Sequence, residues 1–179
     1  MLEDIREILI DRYTIQARVY KMAQQIAADY GDREFVLMPL LTGSIIFVAD
    51  LVRHLPIRMR IDVMAVSSYP GRATTHQGTR VLYPTAFDVQ DKHILVIDDI
   101  LDSGRTAKSV CDVLRSQGAA TVKCCVLLQK KLPTPPAITA DYVGFEIPDE
   151  FVVGYGLDFN GYYRNLPDLA ILHKRVFEA

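Results

Sequence analysis

Near the start of the chain, apolar residues recur at helical spacing: Ile15, Val19, Met22, Ala23 and Ile26. Positions three and four apart lie on one helical face, so this pattern predicts an amphipathic helix that ends at Gly31. Residues 35–41 are then continuously apolar, which is typical of a strand buried on both faces. The chain therefore opens with a helix that leads into a buried strand.

The same alternation of elements continues along the chain. Residues 45–55 carry the next helical pattern, and 59–67 resemble one long strand. Two further apolar strands are predicted at 93–97 and 122–128, with a helix between them over 107–114. Strands separated by helices favour an α/β fold, in which a central, mostly parallel sheet is flanked by helices.

The C-terminal part of the chain departs from this alternation. Short strands are predicted at 142–145 and 151–155, where they form a small cap over the ligand-binding edge of the sheet. Because no internal repeat or linker interrupts the sequence, we expect one domain over 1–179. Its core spans about 12–140, and a hood is built from the N-terminal segment and about 141–179.

The composition is that of an ordinary globular protein and limits the ligands. The chain has 179 residues, of which 50% are hydrophobic and 23% charged. A formal net charge of -2 supplies no basic surplus, so it supports neither nucleic acid nor an anionic membrane as a partner. No apolar run approaches the length of a membrane span. Any phosphate must therefore be bound locally.

Cysteine usage points to a reducing compartment. The three cysteines are Cys111, Cys124 and Cys125, and the last two are neighbours in a predicted strand, so they face opposite ways. An odd number without metal-ligand spacing argues against a disulfide framework. Because the chain also begins with M-L-E-D rather than an apolar signal region, we expect a cytoplasmic location.

The candidate chemistry is concentrated in the string V-I-D-D-I-L-D-S-G-R-T at residues 96–106. It carries an apolar strand through a glycine-bearing turn into a helix, which is where open α/β sheets bind ligands. The small residues Ser103 and Gly104 let backbone N–H groups face an anion, and Thr106 adds a hydroxyl at the positive end of the helix. The turn is therefore suited to a phosphate monoester. The structural alternative is that Asp102 or Ser103 only caps the helix.

Three carboxylates in this string need a different role, because like charges repel a phosphate. Asp98 and Asp99 can accept hydrogen bonds from the two hydroxyls of a ribose and can help to hold a hydrated magnesium ion. Asp102 remains available for chemistry. The alternative is that the first two simply end a strand.

Two further stretches are candidates for the same site. L-L-T-G-S at 40–44 again passes from a strand through Gly43 towards a helix, which suits a second anion, although it could equally be a plain helix start. Residues 68–78 are polar and contain glycine and proline, which favours a mobile lid that excludes water over the reacting centre. An ordinary exposed hairpin loop is the alternative reading of that stretch.

The 96–106 string resembles the signature of phosphoribosyltransferases that bind phosphoribosyl pyrophosphate. From about Asp11 to its end the chain resembles the hypoxanthine-guanine phosphoribosyltransferases, and V-G-F-E-I-P-D-E-F-V-V-G-Y-G-L-D at 143–158 is similar to their purine-binding segment. The resemblance implies the type I phosphoribosyltransferase fold and a glycosyltransferase of purine salvage. Such an enzyme transfers 5-phosphoribosyl to N9 of hypoxanthine, or guanine, with magnesium as cofactor, and releases IMP or GMP and pyrophosphate.

The resemblance also implies roles for individual residues. The flexible loop begins at Ser68 and Tyr69, and Asp102 exchanges a proton or a hydrogen bond with N7 of the base. Phosphoribosyl pyrophosphate is bound by Asp98, Asp99, Asp102, Ser103, Gly104, Arg105 and Thr106, and its pyrophosphate by Leu41, Thr42, Gly43 and Arg164. The purine is bound by Lys130, Phe151, Val152 and Asp158, and magnesium by Asp98, Asp99 and Asp158.

Within the purine set, the resemblance implies three contacts. Phe151 stacks on the ring, Val152 reads its edge through the backbone, and Lys130 donates to the 6-oxo group, which selects 6-oxopurines over adenine. In the matching pyrophosphate turn the family often has a cis peptide, which here is the Leu41–Thr42 bond.

The sequence departs from the family pattern at two positions. Thr42 stands where the family usually has lysine or arginine, so only the backbone of that residue is expected to serve the pyrophosphate. Asp98 stands where glutamate is common, which shortens the reach to the ribose and predicts a bridging water or a small loop shift.

Three other classes of protein are alternatives to a hypoxanthine-guanine phosphoribosyltransferase. A regulatory protein on the same fold, which senses phosphoribosyl pyrophosphate, would share Asp98 and Asp99 but commonly lacks an acidic residue at the position of Asp102. A xanthine-preferring transferase is a second alternative, since hypoxanthine, guanine and xanthine differ only at C2. A Rossmann or Walker nucleotide domain is excluded because neither G-x-G-x-x-G nor a Walker lysine motif occurs. By analogy with the family we expect a homodimer or homotetramer, with the predicted helix over 45–55 facing the partner.

Overall fold

The computed structural model describes residues 1–67, 80–83 and 87–176. The helices are α1 (Arg12–Tyr30), α2 (Ile45–Arg53) and α3 (Arg105–Ser116). The strands are β1 (Ile5–Ile10), β2 (Phe35–Leu41), β3 (Met59–Ile61), β4 (Met64–Ser67), β5 (Arg80–Tyr83), β6 (His93–Leu101), β7 (Thr121–Lys130), β8 (Tyr142–Ile147), β9 (Val152–Val153) and β10 (Leu169–Leu172). Short 3-10 turns lie at Leu2–Asp4 and Lys174–Val176.

The main sheet has seven strands and is almost entirely parallel. Its order is β5-β4-β2-β6-β7-β8, and β3 pairs with β2 beside β4. Within it, β5 runs antiparallel to β4, whereas the other pairings are parallel. The predicted α/β class with a mostly parallel sheet is therefore confirmed.

Both faces of this sheet are covered, which explains the continuous apolar runs. Leu95 and Ile97 of β6 pack into the cluster that contains residues of α1 and α2, whereas Val96 packs with α3 on the other face. Since successive side chains of a strand point to opposite faces, a strand buried on both sides must be apolar at every position. The predicted α1 is also confirmed: Asp11 caps it by accepting from the N–H groups of Tyr13 and Thr14.

A second, smaller sheet forms the hood. Its order is β1-β10-β9, so it combines the N-terminal segment with the C-terminal part of the chain. Asp168 fastens it to the start of α1, because its carboxylate accepts from the backbone N–H and the guanidinium of Arg12, the shortest contacts being 2.8 Å. This hood lies at the carboxyl edge of the main sheet, where Gly156 of its loop contacts Gly43 in the β2–α2 turn.

Two strand predictions are wrong. Residues 142–145, which were expected in the cap, belong to β8 and pair with β7 at the edge of the main sheet. The single long strand expected over 59–67 is divided into β3 and β4. The division falls where the carboxylate of Asp62 accepts from the N–H of Val63 at 3.0 Å, which turns that donor away from the ladder.

The site expected between β6 and α3 also starts inside a strand. β6 was predicted to end at residue 97, but it continues to Leu101, and Asp98 pairs in register with Val126 of β7. The ladder persists because β7 is itself longer than expected and offers partners as far as Gln129. Asp98 and Asp99 are therefore held by a sheet rather than by a loop.

The order of strands explains where a ligand can bind. From β2 the chain moves through α2 to β3 and β4 on one side, whereas from β6 it moves through α3 to β7 on the other. Such a reversal between adjacent strands opens a crevice at their carboxyl ends. In the part of the chain that the structure describes, no helix combines the length and hydrophobicity that crossing a membrane requires.

Candidate active site

The turn between β6 and α3 presents the amino end of a helix. Gly104 precedes α3 with φ of 71°, a left-handed conformation that favours glycine. No side chain forms a cap hydrogen bond at this end, and the first turn of the helix contains no acidic residue that would repel an anion. The carbonyl of Ser103 accepts from the N–H of Ala137 at 2.9 Å, which holds the turn against the following loop.

Asp98 and Asp99 lie directly before this turn. Burial raises the pKa of Asp98 well above its usual range, and the charge of Asp99 beside it raises it further. Burial also raises the pKa of Asp99, although the backbone N–H of Ile100, which donates to it at 2.9 Å, acts in the opposite direction. Two partly buried carboxylates on neighbouring residues favour ligands that supply hydroxyl donors or a cation.

The β2–α2 turn meets these carboxylates across the crevice. A Cβ placed on Gly43 would lie 1.7 Å from Oδ2 of Asp99, so only a glycine fits there without moving that carboxylate. The Leu41–Thr42 peptide bond is cis, as the resemblance implied, and Thr42 is exposed. Ser44 is fully buried, and its hydroxyl donates to the carbonyl of Leu40 at 2.6 Å. The structure thus brings the two predicted anion turns together.

The hood closes onto the same turn. A Cβ on Gly156 would lie 2.2 Å from the carbonyl oxygen of Gly43, so the two backbones are in direct contact. Arg164 donates to the carbonyl of Gly156 at 2.6 Å and forms an ion pair with Asp158 at 2.8 Å. The charge of Arg164 also lowers the pKa of Asp99, although burial of that carboxyl has the larger, opposite effect. The charge of Arg164 therefore acts on one carboxylate of the crevice, that of Asp99.

Lys130 lies at the end of β7 between two carboxylates. Its ammonium group donates to Oδ1 of Asp149 at 2.8 Å and lies 3.7 Å from Oδ2 of Asp102. Its side chain is only 14% exposed, whereas that of Asp102 is 59% exposed. The structure therefore places the predicted base-reading lysine next to the predicted catalytic carboxylate, although 28 positions of sequence separate them.

Phe151 and Val152 follow shortly after Asp149, at the start of the hood. Phe151 is 36% exposed and meets Phe159 edge to face, with ring centroids 5.4 Å apart. Val152 is buried in β9, where it pairs with Ile171. A partly open aromatic ring at a crevice offers a stacking surface, and the adjoining strand backbone offers hydrogen-bonding groups.

Sequence reasoning missed two residues of this arrangement. Asp149, which holds Lys130, lies inside the quoted 143–158 segment, so an acidic residue two positions before Phe151 was the available signal. Phe159, which supports Phe151, follows directly after that segment as an unassigned aromatic residue.

The structure does not bring every predicted site residue together in the crevice. Both carboxylate oxygens of Asp158 are engaged, one by Arg164 and the other by the N–H of Gly161 at 2.7 Å. Across residues 1–67, 80–83 and 87–176, no three His, Cys, Asp or Glu side chains are arranged to hold a metal ion by themselves. Ser68 and Tyr69, with the lid predicted over 68–78, lie outside the described residues.

Comparison with known proteins gives consistent results. A family model described as the phosphoribosyl transferase domain matches residues 9–160. The chain is 38% identical over 178 residues to the hypoxanthine-guanine phosphoribosyltransferase of Streptococcus pneumoniae, covering 99% of each protein. It is 37% identical over 180 residues to that of Bacillus subtilis, covering 100% of this chain and 99% of the other.

Solved structures agree with these sequence relatives. The chain superposes on the crystal structure of a hypoxanthine phosphoribosyltransferase from Staphylococcus aureus with a TM-score of 0.91. The two are 36% identical, and the match covers 99% of this chain and 96% of that one. The similarity therefore extends over the core, the hood and both anion turns.

Proposed function

The chain belongs to the phosphoribosyl transferase family, and from this membership we propose the reaction it performs. It is a hypoxanthine-guanine phosphoribosyltransferase, a pentosyltransferase of purine salvage. It transfers 5-phosphoribosyl from phosphoribosyl pyrophosphate to N9 of hypoxanthine or guanine and yields IMP or GMP and pyrophosphate. The observation that carries the proposal is the convergence of two anion-holding turns and the Lys130–Asp102 pair at one edge of the sheet.

Phosphoribosyl pyrophosphate is bound at both turns. Its 5-phosphate accepts from the N–H groups at the start of α3 and from the side chains of Ser103 and Thr106, with Arg105 adding positive charge. The ribose hydroxyls donate to Asp98 and Asp99. These hydrogen bonds stabilise the two carboxylates, because burial makes their charged forms costly. The pyrophosphate accepts from the backbone of residues 41–43 and from Arg164.

The purine occupies the space between Lys130 and Phe151. Lys130 donates to the 6-oxo oxygen, which adenine lacks, and Phe151 stacks on the ring while Val152 contacts its edge. As N9 bonds to C1′ of the ribose, the bond from C1′ to the pyrophosphate oxygen breaks and the electron pair leaves with pyrophosphate. The proton on N7 passes to the carboxylate of Asp102, which Lys130 holds nearby.

Magnesium fits this site as an ion that protein and substrate oxygens bind together. Carboxylate oxygens suit the ion, which commonly binds one or two carboxylates together with substrate phosphates instead of a cage of side chains. Asp98 and Asp99 would hold it, and Asp158 becomes available when Arg164 turns from that carboxylate to the pyrophosphate. When bound, the ion neutralises charge that develops on the leaving pyrophosphate.

The direct test is turnover of phosphoribosyl pyrophosphate with hypoxanthine, guanine, xanthine and adenine separately, followed by the ultraviolet change as each base becomes a nucleotide. We expect activity with hypoxanthine and guanine, none with adenine, and loss of activity when the divalent ion is chelated. Activity with xanthine above that with hypoxanthine would contradict the proposed preference. Binding of phosphoribosyl pyrophosphate without any turnover would support the regulatory alternative.

The Lys130→Met substitution is expected to weaken selection for 6-oxopurines. It removes the only charged donor proposed for the 6-oxo group while keeping a side chain of similar length. We expect kcat/KM for hypoxanthine to fall by roughly ten- to hundredfold, because hydrogen bonds to charged groups are worth about 1.5–3 kcal/mol. Steady-state kinetics with hypoxanthine at saturating phosphoribosyl pyrophosphate measures this.

Lys131→Met is the matched control for that variant. Lys131 is the next residue, is 66% exposed and pairs with Glu146 at 3.1 Å, so it carries the same charge outside the crevice. We expect its kcat/KM for hypoxanthine to stay close to wild type. Equal losses in the two variants would show that Lys130 does not read the base.

We also propose that the protein forms a homodimer or homotetramer through the face that includes the start of α2. Ile45 and Ile46 are 47% and 38% exposed there. Near the other end of α2, Tyr20 of α1 is 51% exposed and meets His54 edge to face. Apolar exposure of this kind marks an association surface. Analytical ultracentrifugation across a concentration series tests the proposal, and a monomer at every concentration contradicts it.

We propose a cytoplasmic location because the cysteine thiols are free. Cys111, Cys124 and Cys125 are all buried as free cysteines, which suits a reducing compartment. Cell fractionation tests this, and recovery outside the cytoplasm would oppose it.

A further inference from the structure

The hood loop that contacts the β2–α2 turn has an unusual backbone. Gly154, Tyr155 and Gly156 follow one another with φ of 95°, 49° and 104°, all in the left-handed region. Glycine adopts such angles readily, whereas a bulky residue does so only when its surroundings compensate the strain. Tyr155 is held in place by its backbone N–H, which donates to the carbonyl of Leu166 at 2.7 Å, and by contacts of its side chain.

The side-chain contact that holds Tyr155 is a hydrogen bond to α2. Its hydroxyl donates to Oδ2 of Asp50 at 2.6 Å, and the tyrosine is only 5% exposed. Asp50 also pairs with Arg53 at 3.3 Å, so its carboxylate is fixed from both sides. The hood is thereby tied to the helix that begins directly after the cis peptide turn.

The backbone beside Tyr155 continues this connection into the site. Gly156 contacts the carbonyl of Gly43, donates to the carbonyl of Arg164 at 3.0 Å and accepts from the guanidinium of Arg164. Gly43 in turn lies against the carboxylate of Asp99. One residue thus anchors a segment that touches both proposed pyrophosphate ligands, the turn and the arginine.

We propose that Tyr155 and Asp50 are positioning residues for phosphoribosyl pyrophosphate, because their hydrogen bond fixes the hood against α2 and so sets the placement of Gly43 and Arg164. The inference rests on the proposed function, in which residues 41–43 and Arg164 bind the pyrophosphate. Neither side chain is in the proposed set of substrate ligands. Their effect is on the geometry of groups that bind substrate.

The position of the Tyr155–Asp50 hydrogen bond predicts different effects on the binding of the two substrates. The proposed purine contacts lie at the end of β7 and around β9, and Lys130 is held by Asp149 rather than by the hood loop at 154–156. Loosening the Tyr155–Asp50 bond should therefore weaken binding of phosphoribosyl pyrophosphate and leave binding of the base almost unchanged. A defect of general stability would not distinguish the substrates.

Tyr155→Phe and Asp50→Ala, made in the full chain, test the inference. For each we expect KM for phosphoribosyl pyrophosphate to rise about tenfold, the size of effect for a hydrogen bond to a charged group, while KM for hypoxanthine changes by less than about twofold. The double variant should be no worse than the single ones, since both remove the same bond. Asp50→Asn, which keeps an acceptor oxygen, should recover part of the loss.

Tyr142→Phe is the matched control. Tyr142 is also buried and its hydroxyl donates to a carboxylate, that of Asp29, at 2.8 Å. It is the first residue of β8, and its hydroxyl lies with Asp29 and Lys123, neither of which belongs to the proposed set of substrate ligands. We expect a similar decrease in thermal stability without any change in KM for phosphoribosyl pyrophosphate.

Titration calorimetry of phosphoribosyl pyrophosphate binding to the same variants separates this inference from the proposed reaction. Weaker binding by Tyr155→Phe than by Tyr142→Phe supports the inference even if the wild-type protein shows no turnover. Equal binding by the two variants, or parallel increases in KM for both substrates, would overturn it.

Discussion

Asp102→Asn is expected to reduce kcat by about two to four orders of magnitude, the usual contribution of a positioned general acid or base. Asparagine keeps the size of the side chain, and its amide oxygen can accept a hydrogen bond from the N7–H of the purine, but it is too weak a base to take the proton. Asp102 is 59% exposed, so the substitution should not disturb folding. Single-turnover kinetics with saturating substrates would measure the loss, which corresponds to about 3–5 kcal/mol of barrier.

The KM values for both substrates should stay within a few-fold of wild type, because the carboxylate acts on the transition state rather than on binding. Asp149→Asn is the matched control, since it removes the other carboxylate beside Lys130. We expect that control to alter KM for the purine and to reduce kcat by less than about tenfold, well short of the loss assigned to a proton acceptor. An equal decrease in kcat for the two variants would assign the effect to Lys130 and not to proton transfer.

Gly43→Ala is expected to lower kcat/KM for phosphoribosyl pyrophosphate by roughly a hundredfold or more. The added Cβ would lie 1.7 Å from Oδ2 of Asp99, so the carboxylate must be displaced from the ribose side of the crevice. Misplacement of a substrate-positioning group by about 1 Å can cost about two orders of magnitude in rate. Initial rates at varied phosphoribosyl pyrophosphate measure this.

Gly31→Ala provides the control for Gly43→Ala. Gly31 follows α1 with φ of 56°, and a Cβ there meets nothing within 4 Å, so the substitution strains the backbone without touching the site. We expect lower thermal stability but wild-type kinetics. A wild-type kcat/KM for Gly43→Ala would show that Asp99 does not act from the position in which the structure places it.

Several parts of the molecule were predictable because their signals are local. The continuous apolar run at 35–41 predicted β2, since a short strand buried on both faces needs no polar positions. The helical spacing before Gly31 predicted α1 for the same kind of reason. The 96–106 string predicted a strand that passes through a glycine turn into α3, because an apolar run and a turn glycine are local signals.

Other parts were not predictable from pattern. A short strand in a cap and a strand at the edge of a sheet have the same period of two, so 142–145 could be assigned to either, and β8 proved to be the sheet edge. The extension of β6 through Asp99 depended on the length of its partner β7, which no feature of the motif reveals. The position at which a strand ends depends on the length of the strands that pair with it.

The sequence by itself determined the type of fold, the two glycine-bearing turns and the residue types available for chemistry, because periodicity and turn residues act over a few positions. Only the tertiary structure decided that Asp99 lies against Gly43, that Lys130 reaches Asp102 and Asp149, and that Tyr155 ties the hood to α2. Gly43 and Gly156 meet although they are 113 positions apart. Such contacts follow from the order of strands and the packing of the hood, which set distances in space that spacing along the chain does not encode.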